Sequence, residues 1–358
     1  MTLLITGATG LIGQELVKLL LKKQKYQSQP SQIRLLIRKR KGSPLREKFV
    51  QMAIDRGLDI VWGDLAQIND VLHFATISDP QNSVLIHCGA VFNFYQPYEL
   101  LYDINVNGTR RILEGYHKNS IKKLIYVSSI AVYGSLAGKS GSGVTEESPI
   151  DFNQRESYEL TKSLSEDLIW QYSEKNPEQL ITVVRPSGVI GGQGVTSDTF
   201  ARMFFGRYVP LPNGGVEKLS LVDVRDVTRA LMFFSDFERG NGEAFNLVSF
   251  TPTLREFVLE LAHVLHRPSI KIVSLPLLFF KPMYYLSRII RFFKIPKENS
   301  LLLPILFDKL GQDVWIDSSK LLRYGFFPEI SLPESMYFFQ KFLSDNPWYT
   351  DQKFSSVL

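Results

Sequence analysis

Short apolar and β-branched runs alternate with stretches of helical length through the first half of the chain. Leu3–Thr6, Ile33–Ile37, Asp59–Trp62, Val84–His87, Leu124–Val127 and Ile181–Val184 read as buried strands. The alternation predicts an α/β fold, a doubly wound parallel sheet whose loops at the strand C-termini hold a ligand. Beyond about Ser187 the pattern is less regular, with Pro210, Pro212, Gly214 and Gly215 in a loop and a strand-like return near Leu219–Val224. The stretch Gly138–Gly143 reads as an exposed loop.

The first strand runs into Thr6-Gly7-Ala8-Thr9-Gly10-Leu11-Ile12-Gly13 and then a helix carrying Leu16, Val17, Leu19 and Leu20. Glycines placed between a strand and a helix make a tight turn, admit a pyrophosphate to the backbone and let the helix pack on the strand, while the helix N-terminus favours negative charge. The spacing is Gly-x-x-Gly-x-x-Gly; at this position it predicts dinucleotide binding by Gly7, Thr9, Gly10, Leu11, Ile12 and Gly13. The fold expected is therefore Rossmann-type. Its domain is expected over residues 1–186, completed by about 219–248, with a smaller, mainly substrate-binding region over 187–358.

The second strand ends at Ile37 and is followed by Arg38-Lys39-Arg40-Lys41, where an NAD-binding chain carries an acid for the ribose 2′-hydroxyl. Arg38 predicts a partner for the 2′-phosphate of NADP, with NAD retained as the other cofactor; the plain alternative is a solvated basic turn. Asp64, in Gly63-Asp64-Leu65, is placed to accept from an adenine amino group, or to serve as an ordinary turn aspartate.

Tyr158-Glu159-Leu160-Thr161-Lys162 places a phenol and an ammonium at i and i+4 on one helix face. A free tyrosine titrates near ~10 and is a poor acid or base at neutral pH, but a neighbouring cation favours its phenolate. Upstream, the strand Leu124–Val127 ends in Ser128 and Ser129, which either donate to a substrate oxygen or merely cap a turn.

Together these blocks resemble the extended short-chain dehydrogenase/reductase superfamily. The resemblance implies that Ser129, Tyr158 and Lys162 form the catalytic set and that Asn105, in Asn105-Val106-Asn107-Gly108-Thr109, supports a proton relay. It places His87-Cys88-Gly89-Ala90 beside the cofactor, so that Cys88, Gly89 and Ala90 join Arg38, Asp64, Leu65 and Val127 as binding residues. Arg185-Pro186-Ser187-Gly188-Val189-Ile190-Gly191 matches a later family marker and implies that Pro186, Ser187, Gly188 and Val189 line the nicotinamide. Val222-Asp223-Val224-Arg225-Asp226-Val227 looks like a structural segment of the same family.

Within the superfamily, dehydratases place an acid pair after the catalytic serine; Ile130 and Ala131 stand there, which argues against dehydration. The segment Val91–Leu101 is similar to fatty acyl-CoA and thioester reductases, and Ser129 suits hydroxysteroid-dehydrogenase-like and dihydroflavonol-reductase-like branches. The expected activity is hydride transfer to or from a carbonyl or alcohol of a hydrophobic substrate. The alternatives are a nucleotide-sugar epimerase using bound NAD and a non-catalytic dinucleotide-binding protein.

Composition narrows the partners. With 358 residues, 44% hydrophobic and 22% charged, the chain is long enough to bury a sizeable core. A single cysteine, Cys88, forms no internal disulfide, and the five histidines have no second thiol near them, so no metal is expected. The opening residues lack a signal peptide's basic stretch and apolar run, which predicts a cytoplasmic protein. Despite a net charge of +5, Lys and Arg are scattered, so nucleic acid is not an expected partner. The hydrophobic segment 275–307 is broken by prolines and cations and is too interrupted to span a bilayer of about 20 apolar residues. Its part 275–294 reads as a peripheral membrane contact, as the lid of an apolar pocket, or as a plain buried helix pair. A homodimer is a further expectation.

Overall fold

The computed structural model describes residues 1–40, 42–92, 96–138, 143–154, 157–192, 208–267, 269–280, 282, 311 and 313–347. Asn93, Phe94 and Tyr95 of the reductase-like segment, residues 139–142 of the loop read at Gly138–Gly143, and most of the hydrophobic stretch 275–307 lie outside them.

Seven parallel strands form one sheet: β1 (Thr2–Thr6), β2 (Ile33–Ile37), β3 (Asp59–Trp62), β4 (Ser83–His87), β5 (Lys123–Val127), β6 (Leu180–Pro186) and β10 (Glu243–Leu247). Their spatial order is β3-β2-β1-β4-β5-β6-β10. The chain winds one way from β1 to β3 and the other from β4 to β10, so a crevice opens between β1 and β4, where the order reverses. Helices α1 (Leu11–Leu21), α2 (Pro44–Asp55) and α3 (Ile68–Ala75) connect the first four strands. A continuous helical stretch joins β4 to β5: α4 (Tyr98–Leu101), a π-helical turn at Tyr102–Asn107, and α5 (Gly108–Lys118). Helix α6 (Ser157–Lys175) leads into β6. Helices on both faces bury the strands from both sides, which explains why they read as near-continuous apolar runs.

The six expected strands stand within two residues of their predicted limits. The strand-like return near Leu219–Val224 contains β9 (Leu221–Asp223), which pairs with β7 (Gly188–Ile190) outside the large sheet. The next two elements, α7 (Val224–Phe234) and β10, rejoin the large fold. Val227, Leu231 and Phe234 of α7 share a core with Leu16, Val17 and Leu20 of α1. Lys123, fully buried at the start of β5, reaches the carbonyls of Asp236 and Arg239 beyond α7, the former at 2.8 Å.

A second core lies in the C-terminal region. It joins Ile190, β8 (Tyr208–Pro212), α8 (Leu254–Val264) and α10 (Leu332–Asp345); β8 also pairs with β11 (Lys271–Leu275). Helix α9 (Ser319–Arg323) adds Leu321 to the first core. Both α8 and α10 start with capping boxes, Thr253 with Glu256 and Ser331 with Glu334, so each carries its own start signal.

Asp226 on α7 ties the two regions. Its buried carboxylate accepts from Arg229 at 2.7 Å, from Ser249 at 2.7 Å, and from the backbone N–H groups of Glu329 and Ile330 at 3.1 Å each. A buried carboxylate is tolerable only with such donors, and removing it strands them. Asp226→Ala is expected to lower unfolding stability by about 3 kcal/mol in a urea titration; a change under about 0.5 kcal/mol would show that the contacts are dispensable.

Candidate active site

The exit of β1 is a backbone-only surface. Gly7 has φ +68°, and a Cβ on it would lie 2.7 Å from the Cys88 carbonyl carbon and the Gly89 nitrogen at the exit of β4. A Cβ on Gly13 would lie 2.6 Å from the Ala8 Cα, so α1 packs directly on the turn. The Gly10 N–H donates to the Gly7 carbonyl at 2.9 Å, and Gln14 Nε2 holds the Thr9 carbonyl at 2.8 Å. Ile12 packs into the first core. Gly89 is the matching clearance on β4, with Leu65 Cδ1 2.6 Å from where its Cβ would stand. These approaches leave no room for side chains at the crevice and make the cradle a pyrophosphate requires.

Arg38 follows β2, half-buried. Burial lowers its pKa most, with Arg40 and Arg46 acting in the same direction and Asp64 opposing them. Arg46 is buried at the start of α2, where its guanidinium donates to the Arg38 carbonyl and, at 2.7 Å, to Glu47. One Asp64 oxygen accepts from the Ala66 N–H at 3.1 Å, so Asp64 closes its own turn as well as facing Arg38.

On the other side of the crevice, strand alternation separates the two serines at the end of β5. Ser128 turns into the core and donates to Glu166, whereas Ser129 hydrogen-bonds Tyr158 and accepts from the Ala131 N–H at 3.1 Å. Tyr158 packs edge-on against Phe92, ring centroids 4.5 Å apart at 72°.

Lys162 is 3% exposed. Its ammonium donates to Tyr126 Oη at 2.8 Å and the Val127 carbonyl at 2.9 Å, and lies 4.4 Å from the Tyr126 ring centroid. Burial drives its pKa down to about 8, with Glu166 pulling the other way.

Burial raises the Tyr158 phenol above its ordinary range and the Ser129 hydroxyl favours the phenolate, while the Lys162 ammonium is held on Tyr126 and Val127. Asn105 is hydrogen-bonded through both side-chain atoms and through its carbonyl. Its Oδ1 accepts from the Val91 N–H at 2.7 Å, its Nδ2 donates to the Val91 carbonyl and Thr161 Oγ1 at 3.2 and 3.0 Å, and its own carbonyl accepts from Thr109 and Ser165. The geometry makes Asn105 a brace. The π-helical turn opens that carbonyl to two hydroxyls, a departure typical of functional positions.

Pro186 ends β6 and Ser187 follows it, 4% exposed, its hydroxyl without a hydrogen-bond partner among the described residues. An orphaned buried hydroxyl at this end of the sheet, together with the glycine cradle, fits a dinucleotide whose nicotinamide end would satisfy Ser187. Gly188 and Val189 continue as β7. Cys88 presents its backbone to Gly7, its thiol pushed up to about 12 by burial; Ala90 is exposed.

A family model described as the NAD dependent epimerase/dehydratase family matches residues 3–247. The chain belongs to that family. Among curated relatives, a UDP-glucose 4-epimerase of Vibrio cholerae is 26% identical over 282 residues, 75% of this chain and 77% of that protein. A putative dihydroflavonol 4-reductase of Synechocystis is 30% identical over 233 residues, 62% of this chain and 60% of that protein. Among solved structures, UDP-glucuronic acid 4-epimerase from Bacillus cereus, bound to UDP-glucuronic acid and NAD, superposes with a TM-score of 0.71 at 19% identity, covering 96% of this chain and 99% of that one. At that identity the likeness concerns the fold. Family membership brings the oxidoreductase-type, dinucleotide-dependent chemistry of the NAD(P)-binding Rossmann fold.

His87, Thr6, Thr109, Thr161 and Arg185 stand inside the motifs with no sign of their partners, and Arg46 and Glu166 stand outside them. Arg185 Nε donates to Glu166 Oε1 at 2.9 Å, both side chains being buried. Charged residues inside apolar strand and helix patterns were the available signal.

Lys162 carries a testable cost. Lowering its pKa from 10.5 to about 8 corresponds to about 3 kcal/mol against folding at neutral pH. The folded chain binds fewer protons than the unfolded one between those values, so this residue's contribution to stability rises with pH across that window. Lys162→Met is expected to raise the thermal midpoint at pH 7, flatten the stability slope between pH 8 and 10 and abolish turnover. A lowered midpoint would mean that the hydrogen bonds to Tyr126 and Val127 outweigh the desolvation.

Proposed function

We propose that this chain is an NADP(H)-dependent reductase or dehydrogenase that acts on a carbonyl or alcohol of a hydrophobic, lipid-like molecule. The observation that carries the cofactor choice is Arg38, half-buried and repelled by Arg40 and Arg46. Like charges gathered at a strand exit gain most from an anion placed among them, and a 2′-phosphate supplies one there. The edge-on Phe92 beside Tyr158 supports an apolar neighbour for the reacting carbon.

In this reading the glycine turn and α1 hold the pyrophosphate, Arg38 the 2′-phosphate and Ser187 the nicotinamide end. The bound dinucleotide supplies or accepts the hydride. Tyr158 gives its phenolic proton to the substrate oxygen during reduction and takes it back during oxidation. Ser129 hydrogen-bonds that oxygen, and the Lys162 ammonium favours the phenolate once it swings from Tyr126 toward the site. Ile130 and Ala131, where a dehydratase carries acids, leave elimination without its proton donor.

The second reading is a UDP-sugar 4-epimerase with retained NAD, favoured by the Vibrio cholerae relative, whose match spans three quarters of both chains. It uses the same Ser129, Tyr158 and Lys162 but returns the hydride to its substrate, so no external dinucleotide is consumed.

Calorimetric titration with NADPH and NADH separates the two. Wild type is expected to prefer NADPH, and Arg38→Asp is expected to weaken NADPH binding at least about tenfold while sparing NADH, the loss of one charge-assisted pair. Equal or tighter NADH binding by wild type, with NAD on the purified protein and interconversion of UDP-glucose and UDP-galactose, would install the epimerase reading.

A further inference from the structure

A buried polar chain crosses the molecule from the dinucleotide cradle to the Tyr158 helix. The Gly89 N–H donates to Thr6 Oγ1 at 3.1 Å, and Thr6 Oγ1 stands 2.6 Å from His87 Nδ1. His87 Nε2 stands 3.2 Å from Thr109 Oγ1, which donates to the Asn105 carbonyl at 2.6 Å. Asn105 then holds Val91 by both backbone groups and Thr161 on α6, and Thr161 Oγ1 donates to the Tyr158 carbonyl at 2.8 Å.

The directions of these bonds favour one imidazole tautomer. Thr109 spends its single proton on Asn105 and its oxygen also meets Tyr126; an Nε2–H tautomer of His87 gives that oxygen a ring donor. Thr6 then donates to the bare Nδ1 and accepts from Gly89. An imidazolium breaks this order, since both ring nitrogens would donate and the Thr6 proton would lose its acceptor.

We infer that His87 is a positioning residue: its neutral, Nε2-protonated ring couples the Gly7–Gly89 cradle to Asn105, and through Asn105 to the Tyr158 helix. His87 acts through Thr6 and Thr109. Its surroundings hold it neutral. The ring is 1% exposed, the Tyr126 ring lies tilted at 40° with its centroid 5.7 Å away, the Cys88 thiol follows in sequence and is itself held protonated, and the Lys162 ammonium repels a second proton. Burial and Lys162 together lower its pKa to about 3. The coupling rests on these hydrogen bonds and not on which dinucleotide or substrate is used.

Two amides report on its two ends: Gly89 N–H, held by Thr6, and Val91 N–H, held by Asn105. Asparagine at 87 offers an acceptor near the Nδ1 position, glutamine a donor near the Nε2 position, and phenylalanine the ring volume with neither. Hydrogen exchange of the whole chain is expected to show His87→Phe deprotecting both amides by at least about tenfold, the loss of one hydrogen bond's worth of protection. His87→Asn is expected to deprotect Val91 alone and His87→Gln to deprotect Gly89 alone. NAD(P) affinity should fall in the Phe and Gln variants and hold in Asn. Equal loss at both amides in all three variants, or no loss in Phe, would overturn the coupling. If the variants do not fold, nitrogen-15 NMR of the wild-type ring decides: an Nε2–H tautomer unchanged from pH 8 to pH 5 is expected, and an Nδ1–H tautomer or an ordinary titration contradicts the assignment.

Discussion

The close approach of two backbones, at the exits of β1 and β4, is the constraint on which the site depends. A Cβ on Gly7 would collide with Cys88 and Gly89, and one on Gly13 with the turn itself. Because only glycine fits, the strands separate just enough to make a side-chain-free crevice, with the N-terminus of α1 at its floor. Everything else is referenced to that crevice: Arg38 and Asp64 at the exits of β2 and β3, Ser129 and Ser187 at the exits of β5 and β6. The sheet order converts residues far apart in sequence into one row of strand ends.

Behind that row lies a layer of buried charge. Lys162, Glu166 and Arg185 are each nearly inaccessible; Glu166 and Arg185 pair directly, Ser128 donates to Glu166, Arg185 donates to Tyr133, and Lys162 donates to Tyr126. Glu166 and Arg185 compensate one another and hold the base of α6 against β6. Among the described residues Lys162 donates to neutral groups, Tyr126 Oη and the Val127 carbonyl, and burial lowers its pKa, whereas the pair with Glu166 raises that of Arg185. The cationic residue expected to do chemistry is thus the one left without a direct carboxylate, while the structural cation is fully paired.

Much of this was legible in the chain. The apolar runs at Leu3–Thr6 and Val84–His87 marked strands because parallel strands covered on both faces need no polar positions. The glycine spacing marked the cradle because no other residue permits it. What the chain concealed are the orientations of neighbours. Ser128 and Ser129 are alike in sequence, and only the pleat sends one to Glu166 and the other to Tyr158. Asn105 and Lys162 were legible as positions, but not their partners Val91, Thr161 and Tyr126, which come from other elements. Arg46 reaches the Arg38 carbonyl across a turn, so no local pattern announces it.

In the proposed reading, one crevice holds an NADP dinucleotide with its phosphate end at Arg38 and its reactive end beside Tyr158. A crystal structure of the protein grown with NADP tests it most directly. The account predicts the 2′-phosphate in contact with the Arg38 guanidinium, the pyrophosphate on the backbone of Gly7 to Gly13, and the nicotinamide end within hydrogen-bond reach of Ser187. A 2′-phosphate turned to solvent away from Arg38, or a dinucleotide bound anywhere other than between the exits of β1 and β4, would contradict it.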